Sequence, residues 1–269
     1  MALVLRCMHC VFYGGMLQSL RIFIDVYSKT PRVELQNCDK ETEMIEVAQI
    51  SKAYGRRQVL SQISFHIEEG QCVGIAGANG CGKSTLLAIL AGAVRPDGGK
   101  VLYHGSPADR GRYRKEMGYV PQGKPLLPEL SVKDNLKLWY KGSEKEWKRE
   151  QDSGIIAVLE LGPLLKRDAG KLSGGMKRRL SLACALMNHP RFLILDEPGA
   201  ALDVVCKEEI RQYLSEYLKQ GGTVLLTSHE ERELSLCGRL LLMRGGRLTE
   251  IPADTQAGEL AVMITAETR

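Results

Sequence analysis

An α/β fold is the expectation for this chain, and three stretches carry it. The glycine-rich segment "GANGCGKST" (77–85) follows the apolar run that opens "QCVGIAGANG" (71–80) and leads into the helical pattern "KSTLLAILAGAV". Two further apolar runs, "RFLILDEP" (191–198) and "TVLLTSHE" (223–230), flank a helical stretch at 205–219, as buried parallel strands do. Before the glycine loop, "IEVAQISKAY" (45–54) and "VLSQISFHI" (59–67) alternate apolar and polar residues, the period of half-buried antiparallel strands.

The bulk numbers fit that class. With 269 residues, 44% of them hydrophobic, the chain can bury a sizeable core in one large domain or two modest ones. A formal charge of +5, from 37 basic and 32 acidic residues spread along the chain, is too mild for a nucleic-acid footprint, and no nucleic-acid partner is expected. The eight cysteines form no regular framework and read as free thiols of a reducing cytosol. Cys7 and Cys10 alone have metal-like spacing, which without a second pair is half a zinc site.

Residues 1–43 read as an N-terminal extension, and 44–269 as the working domain. The stretch "CMHCVFYGGMLQSL" (7–20) falls short of the roughly 20 apolar residues a membrane span needs and has no small-residue cleavage pattern after it. Met44 precedes the first clean strand pattern, so a start there is a second reading of the N-terminus. In the middle third the texture turns helical, with "LSVKDNLKLWY" (130–140), "EKEWKREQDSGIIAVLEL" (144–161) and "GGMKRRLSLACALMNH" (174–189). This reads as a helical subdomain, about 123–189, inserted into the α/β core. After Pro190 the strands return, ending with "RLLLM" (239–243) and "RLTEI" (247–251).

Strand, glycine loop and helix in that order make a phosphate-binding loop, so the core is expected to be that of a P-loop NTPase. Gly77 and Gly82 with Lys83 and Ser84 fit the spacing G-x-x-x-x-G-K-[ST]. Across Gly77, Ala78, Asn79, Gly80, Cys81, Gly82, Lys83, Ser84 and Thr85, glycines let backbone N–H groups curl round a phosphate, and the following helix offers its positive end. Lys83 would neutralise the β and γ oxygens, and the Ser84 hydroxyl would ligate Mg²⁺. Cys81, at a helix start beside Lys83, has a setting that tends to lower a thiol pKa.

"FLILDE" (192–197) supplies a second half-site, with two carboxylates at the carboxyl end of a buried strand, where open α/β sheets bind ligands. Asp196 would hold Mg²⁺ through water, and Glu197 would act as general base on the attacking water. An isolated "DE" would be a solvated acidic turn; the P-loop beside it favours the site. The chain has no N-K-x-D element, which argues against a GTPase.

The order of the P-loop, "YVPQ" (119–122), "LSGGM" (172–176), "LILDEP" (193–198), "ALD" (201–203) and "TSH" (227–229) resembles the nucleotide-binding subunit of an ABC transporter over residues 44–269. That resemblance implies ATP and Mg²⁺ as ligands and a head-to-tail pair of cassettes, each ATP lying between the P-loop of one and the "LSGGM" of the other. Gly174 and Gly175 would then present backbone N–H groups, and Ser173 its hydroxyl, to the neighbour's γ-phosphate. Each such charge-assisted bond is worth roughly 1.5–3 kcal/mol. Read alone, Ser173 caps its own helix, with Met176, Leu180, Ala183 and Met187 as the core stripe; Lys177, Arg178 and Arg179 suit an anion nearby or a solvated basic face.

By the same resemblance Tyr54 stacks on adenine, Gln122 meets Mg²⁺, and His229 touches the γ-phosphate. On its own, His229 would merely sit in a capping box formed by Ser228 and Glu231. The chain departs from the family at Met176, where glutamine is usual, and at Gly199 and Ala200. The implied partners are a separately encoded transmembrane permease and a second cassette, identical or paralogous. The implied location is cytoplasmic, on the inner face of the membrane through that permease. The chain ends about forty residues after His229, which leaves no large regulatory domain and points toward ABC-2-like exporters. The rival class is a soluble ABC ATPase without a transport role, such as an iron–sulfur assembly scaffold ATPase.

Overall fold

A computed structural model describes residues 43–108, 113–123, 126–200 and 202–265. The extension expected over 1–43, with Cys7, Cys10 and the 7–20 stretch, lies outside the described residues except for Glu43, where the first strand begins. The chain forms two compact units, one of Asp39–Pro125 with His189–Arg269, the other containing Leu126–Asn188.

In the larger unit, β1 (Glu43–Tyr54) and β2 (Arg57–Glu68) make the antiparallel hairpin that the alternation at 45–67 predicts. The alternation is not strict: Gln49 and Gln62 take φ of 53° and 50°, and the register slips repeatedly along β1. Such bulges bend a strand and release residues from the ladder. β3 (Cys72–Gly77) is buried throughout and runs through a loop into α1 (Lys83–Leu90). α1 lays Leu86, Leu87, Ile89 and Leu90 into one apolar cluster with Ile45, Ile50, Leu60, Phe192 and Met243. Each such fully buried side chain contributes about 2 kcal/mol.

β4 (Gly98–Tyr103) and the two-residue β5 (Ser106–Pro107) join the hairpin to give a four-stranded antiparallel sheet in the order β2-β1-β4-β5. A short helix α2 (Tyr113–Glu116) leads into β6 (Met117–Val120). Neither β4, β5 nor β6 announces itself in the sequence. The four residues of β6 become a strand by pairing with a longer neighbour rather than by local pattern.

The smaller unit is helical. α3 (Val132–Trp139) is capped by Ser131, whose hydroxyl accepts from Asp134 N, and α4 (Glu144–Asp152) by a complete Ser143/Glu146 capping box. The helical pattern over 144–161 breaks at Ser153–Gly154 before α5 (Ile155–Val158), where Gly154 turns extended and the Glu150 carboxylate accepts from Ile155 N at 2.9 Å. Asn135, 2% exposed, organises the preceding turn by donating to the carbonyls of Leu127, Leu130 and Ser131 and accepting from Leu127 N. α6 (Gly174–Leu186) stops short of the expected residue 189 and buries Leu180 and Ala183, with Met187 at its C-cap buried too and Met176 only half-buried.

Back in the larger unit follow β7 (Phe192–Asp196), α7 (Val204–Lys219), β8 (Thr223–Thr227), α8 (Glu231–Leu234), β9 (Arg239–Arg244), β10 (Arg247–Ile251) and α9 (Ala257–Thr265). Six strands form a sheet in the order β10-β9-β3-β8-β7-β6, parallel except for the β9–β10 hairpin. The apolar runs at 192–196 and 223–227 are its buried central strands, as their composition predicts. Because β3, β8, β7 and β6 are successive neighbours, their carboxyl ends share one edge, and every loop leaving that edge carries residues marked by the sequence.

Candidate active site

The loop after β3 is shaped by glycines at two positions. Gly77 has φ 155°, and a Cβ there would lie 2.5 Å from Met243 O; Gly82 has φ 116° and would meet Val59 O at 3.0 Å. Between them Ala78, Asn79 and Gly80 are exposed, with the turn closed by Cys81 N donating to Ala78 O at 3.3 Å. Gly82 is the N-cap of α1 and no side chain caps the helix, so the amides of its first turn, Lys83, Ser84 and Thr85, have no capping oxygen. The first turn also carries no acidic residue, leaving a positive helix end beside an open loop.

Lys83 is 5% exposed, and its Nζ donates to Gly77 O at 2.7 Å and Ala78 O at 3.1 Å. The lysine thus lies back along its own loop, with its charge at the cradle. On the neighbouring strands, Asp196 ends β7 directly opposite Thr227 in register. Asp196 is 1% exposed and accepts from Thr227 Oγ1 at 2.7 Å; the same hydroxyl accepts from Glu197 N at 3.0 Å. Thr227 therefore fixes both carboxylate-bearing residues. Its role was not singled out from the sequence, although the equal lengths of the two apolar runs would have put 196 and 227 side by side.

Glu197 takes φ 49°, the left-handed region. Its Oε2 accepts from Gln122 Nε2 at 2.7 Å, and its Oε1 lies 3.1 Å from His229 Nε2. His229 Nε2 is also 3.5 Å from Lys83 Nζ. One ring nitrogen cannot donate to the carboxylate and accept from the ammonium together; the shorter contact puts the proton on Nε2. Lys83, Glu197, His229 and Gln122, drawn from the loops after β3, β7, β8 and β6, thus meet at one point. The expected capping box at Ser228 and Glu231 is not formed: α8 has Glu230 as N-cap without side-chain capping, and Ser228 Oγ accepts from Glu230 N at 2.9 Å instead.

Tyr54, at the end of β1, is 52% exposed, as a stacking surface must be. Its cross-strand neighbour Arg57 donates from Nη2 to Gly80 O at 3.3 Å, so the hairpin end touches the P-loop tip. Ser84 is exposed and Cys81 half-buried. A hard divalent cation suits this donor set: the Ser84 hydroxyl, the Asp196 carboxylate and the Gln122 Oε1, which stays available once Nε2 donates to Glu197.

The "LSGGM" segment belongs to the smaller unit. Ser173 is the N-cap of α6 and accepts from Met176 N at 3.2 Å. The cap uses the hydroxyl as acceptor and leaves its proton to donate, so capping and phosphate binding are compatible uses of one group. Ser173 and Gly174 are exposed and Gly175 half-buried. Lys177 donates to Gly170 O at 2.8 Å and Arg179 pairs with Glu160 at 2.9 Å, so these two cations of the basic stretch are engaged within their own unit.

Comparison with known proteins shows the family of the chain. A family described as ABC transporter matches residues 60–200. The Nod factor export ATP-binding protein I of Rhizobium etli is 39% identical over 209 residues, covering 76% of this chain and 66% of that protein. Its counterpart in Sinorhizobium fredii is 39% identical over 216 residues, covering 77% of this chain and 62% of the relative. The chain thus spans 62 to 66% of the length of these two relatives. Among solved structures, an ATP binding subunit of an ABC transporter superposes with a TM-score of 0.74 at 26% identity, covering 82% of this chain and 99% of the other. A dimeric ATP-binding cassette in a post-hydrolysis state with ADP and Pi gives 0.70 at 27%, covering 79% and 100%.

Proposed function

The chain belongs to the ABC transporter family as an ATP-binding subunit, and from that premise we propose that it is the ATP-hydrolysing motor of an exporter, closing on a second cassette when ATP binds. The observation that carries the reading is the convergence of Lys83, Glu197, His229 and Gln122 at the carboxyl edge of four adjacent parallel strands.

On binding, the triphosphate would replace Gly77 O and Ala78 O as partners of Lys83 and take bonds from the uncapped amides of α1. Ser84, Asp196 and Gln122 would hold Mg²⁺, which neutralises charge on the β- and γ-phosphates. Glu197 takes a proton from water as its oxygen attacks the γ-phosphorus, the bond to the β–γ bridging oxygen breaks, and ADP leaves. His229 turns its Nε2 proton from Glu197 toward the γ-phosphate once nucleotide is bound, while Gln122 keeps the base oriented. From a second copy or a paralogue, the amides of Gly174 and Gly175 and the Ser173 hydroxyl would close on the same γ-phosphate. Several charge-assisted bonds of roughly 1.5–3 kcal/mol each would hold the pair until hydrolysis.

Among the described residues no helix is long and apolar enough to cross a membrane. A permease on a separate chain, with this subunit at the inner membrane face, fits that observation, and the relatives' export names favour transport over a soluble assembly ATPase. The experiment is affinity purification of the tagged chain from detergent-extracted cells of its source. Recovery with an integral membrane protein, and phosphate release that Lys83→Ala abolishes, is the expected result. Recovery with soluble partners only would overturn the transport reading, and phosphate release untouched by Lys83→Ala would overturn the site.

A further inference from the structure

The base platform has a mounting of its own. The ladder between β1 and β2 slips between Ile50 and Lys52 and again between Lys52 and Ala53, so the stretch leading to the paired end Tyr54–Arg57 is irregular. The loop after α1 supplies what the ladder lacks. Asp97 N donates to Ser51 O at 2.8 Å, its Oδ2 accepts from Ala53 N at 2.7 Å, and its Oδ1 accepts from Lys52 Nζ at 2.7 Å. Three consecutive residues before Tyr54 are thereby tied to a single residue more than forty positions later. The same pairing draws Lys52 Nζ to 5.6 Å from the centroid of the Tyr54 ring, within cation–π range. One face of the ring is therefore taken, and Lys52 itself is held by Asp97.

From this arrangement we infer that Asp97 and Lys52 are positioning residues for the nucleobase: they lock the end of β1 and cover one face of Tyr54, so that the purine of ATP stacks on the other. This rests on the reading of Tyr54 as the base platform and adds how that platform is aimed. The charge of the ion pair serves the mounting too: Lys52, by hydrogen bond, holds the Asp97 carboxyl below its usual range, with the Ala53 amide acting in the same direction. The Asp97 carboxylate thus stays ionised through the working pH of an ATPase. Arg57 differs, since its guanidinium touches the P-loop tip rather than the ring.

The test separates base from phosphate. Binding of Mg-ATP and of Mg-tripolyphosphate, which lacks base and ribose, is measured by calorimetry on the full chain and on Asp97→Ala, Lys52→Met, Tyr54→Ala and Asp97→Ala/Tyr54→Ala. Because they misplace the platform without removing the ring, Asp97→Ala and Lys52→Met should weaken ATP about five- to tenfold and leave tripolyphosphate within about twofold. The double variant should bind ATP no worse than Tyr54→Ala alone, because both changes remove one interaction. Equal loss for both ligands in Asp97→Ala and Lys52→Met, full additivity with Tyr54→Ala, or no change in either variant would overturn the inference. A parent chain that binds tripolyphosphate but gains nothing from the base, with Tyr54→Ala silent, would instead overturn the platform reading beneath it.

Discussion

Glu197 is where the chemistry narrows to single atoms. One carboxylate oxygen takes the Gln122 amide and the other the His229 ring, so both lone-pair faces are aimed before any nucleotide arrives. Glu197→Gln keeps the shape and removes the proposed base; phosphate release should fall about 10²–10⁴-fold with ATP affinity nearly unchanged, read by a coupled phosphate assay and nucleotide titration. Cys81 offers a second check, since it is half-buried in the loop that would wrap the phosphates. Alkylation is expected to stop hydrolysis and saturating ATP to protect the thiol; full activity after mass spectrometry confirms modification of Cys81 would refute this. Lys83, Ser84, Asp196 and Glu197 were proposed from fixed offsets within their own short segments, and His229 only through the resemblance. Thr227, Asn135 and Asp97 were not, because their work depends on which distant residue the fold places opposite them.

Elements divide in the same way. The long hairpin and the central strands were readable from alternation and continuous apolar runs, which are local signals. β6 was hidden because four residues carry too little pattern, and the helical run at 144–161 misled because its periodicity continues across the extended Gly154, after which the Glu150 carboxylate takes the Ile155 amide. α6 gives the sharpest test of an element with two tasks. Ser173→Ala removes the cap and should cost about 1 kcal/mol in chemical denaturation. Ser173→Asp keeps a capping oxygen and so keeps stability, yet sets a carboxylate where a phosphate would dock, and should abolish ATP-driven association. If Ser173→Asp associates as the parent does, Ser173 is a cap and nothing more.

For the whole molecule, the order β3-β8-β7-β6 decides the outcome, because it gathers loops distant in sequence onto one edge. That order cannot be read from any segment alone, which is why short segments pointed to the parts of the proposed site and only the resemblance to their assembly. With hydrolysis blocked by Glu197→Gln, Mg-ATP should hold two chains together, visible in light scattering as a doubled mass that chelation of the metal or exchange for ADP reverses. A monomer at saturating Mg-ATP, with or without the membrane partner, would sink the clamp. The bent backbone at Glu197, φ 49°, carries a last consequence. A side chain held there costs about 1 kcal/mol that glycine would not, which offsets part of the loss of the Gln122 and His229 contacts, so Glu197→Gly should melt close to the parent while losing turnover. Hardiness and work thus compete for a single position, and a screen for heat tolerance alone would erode the enzyme at its base.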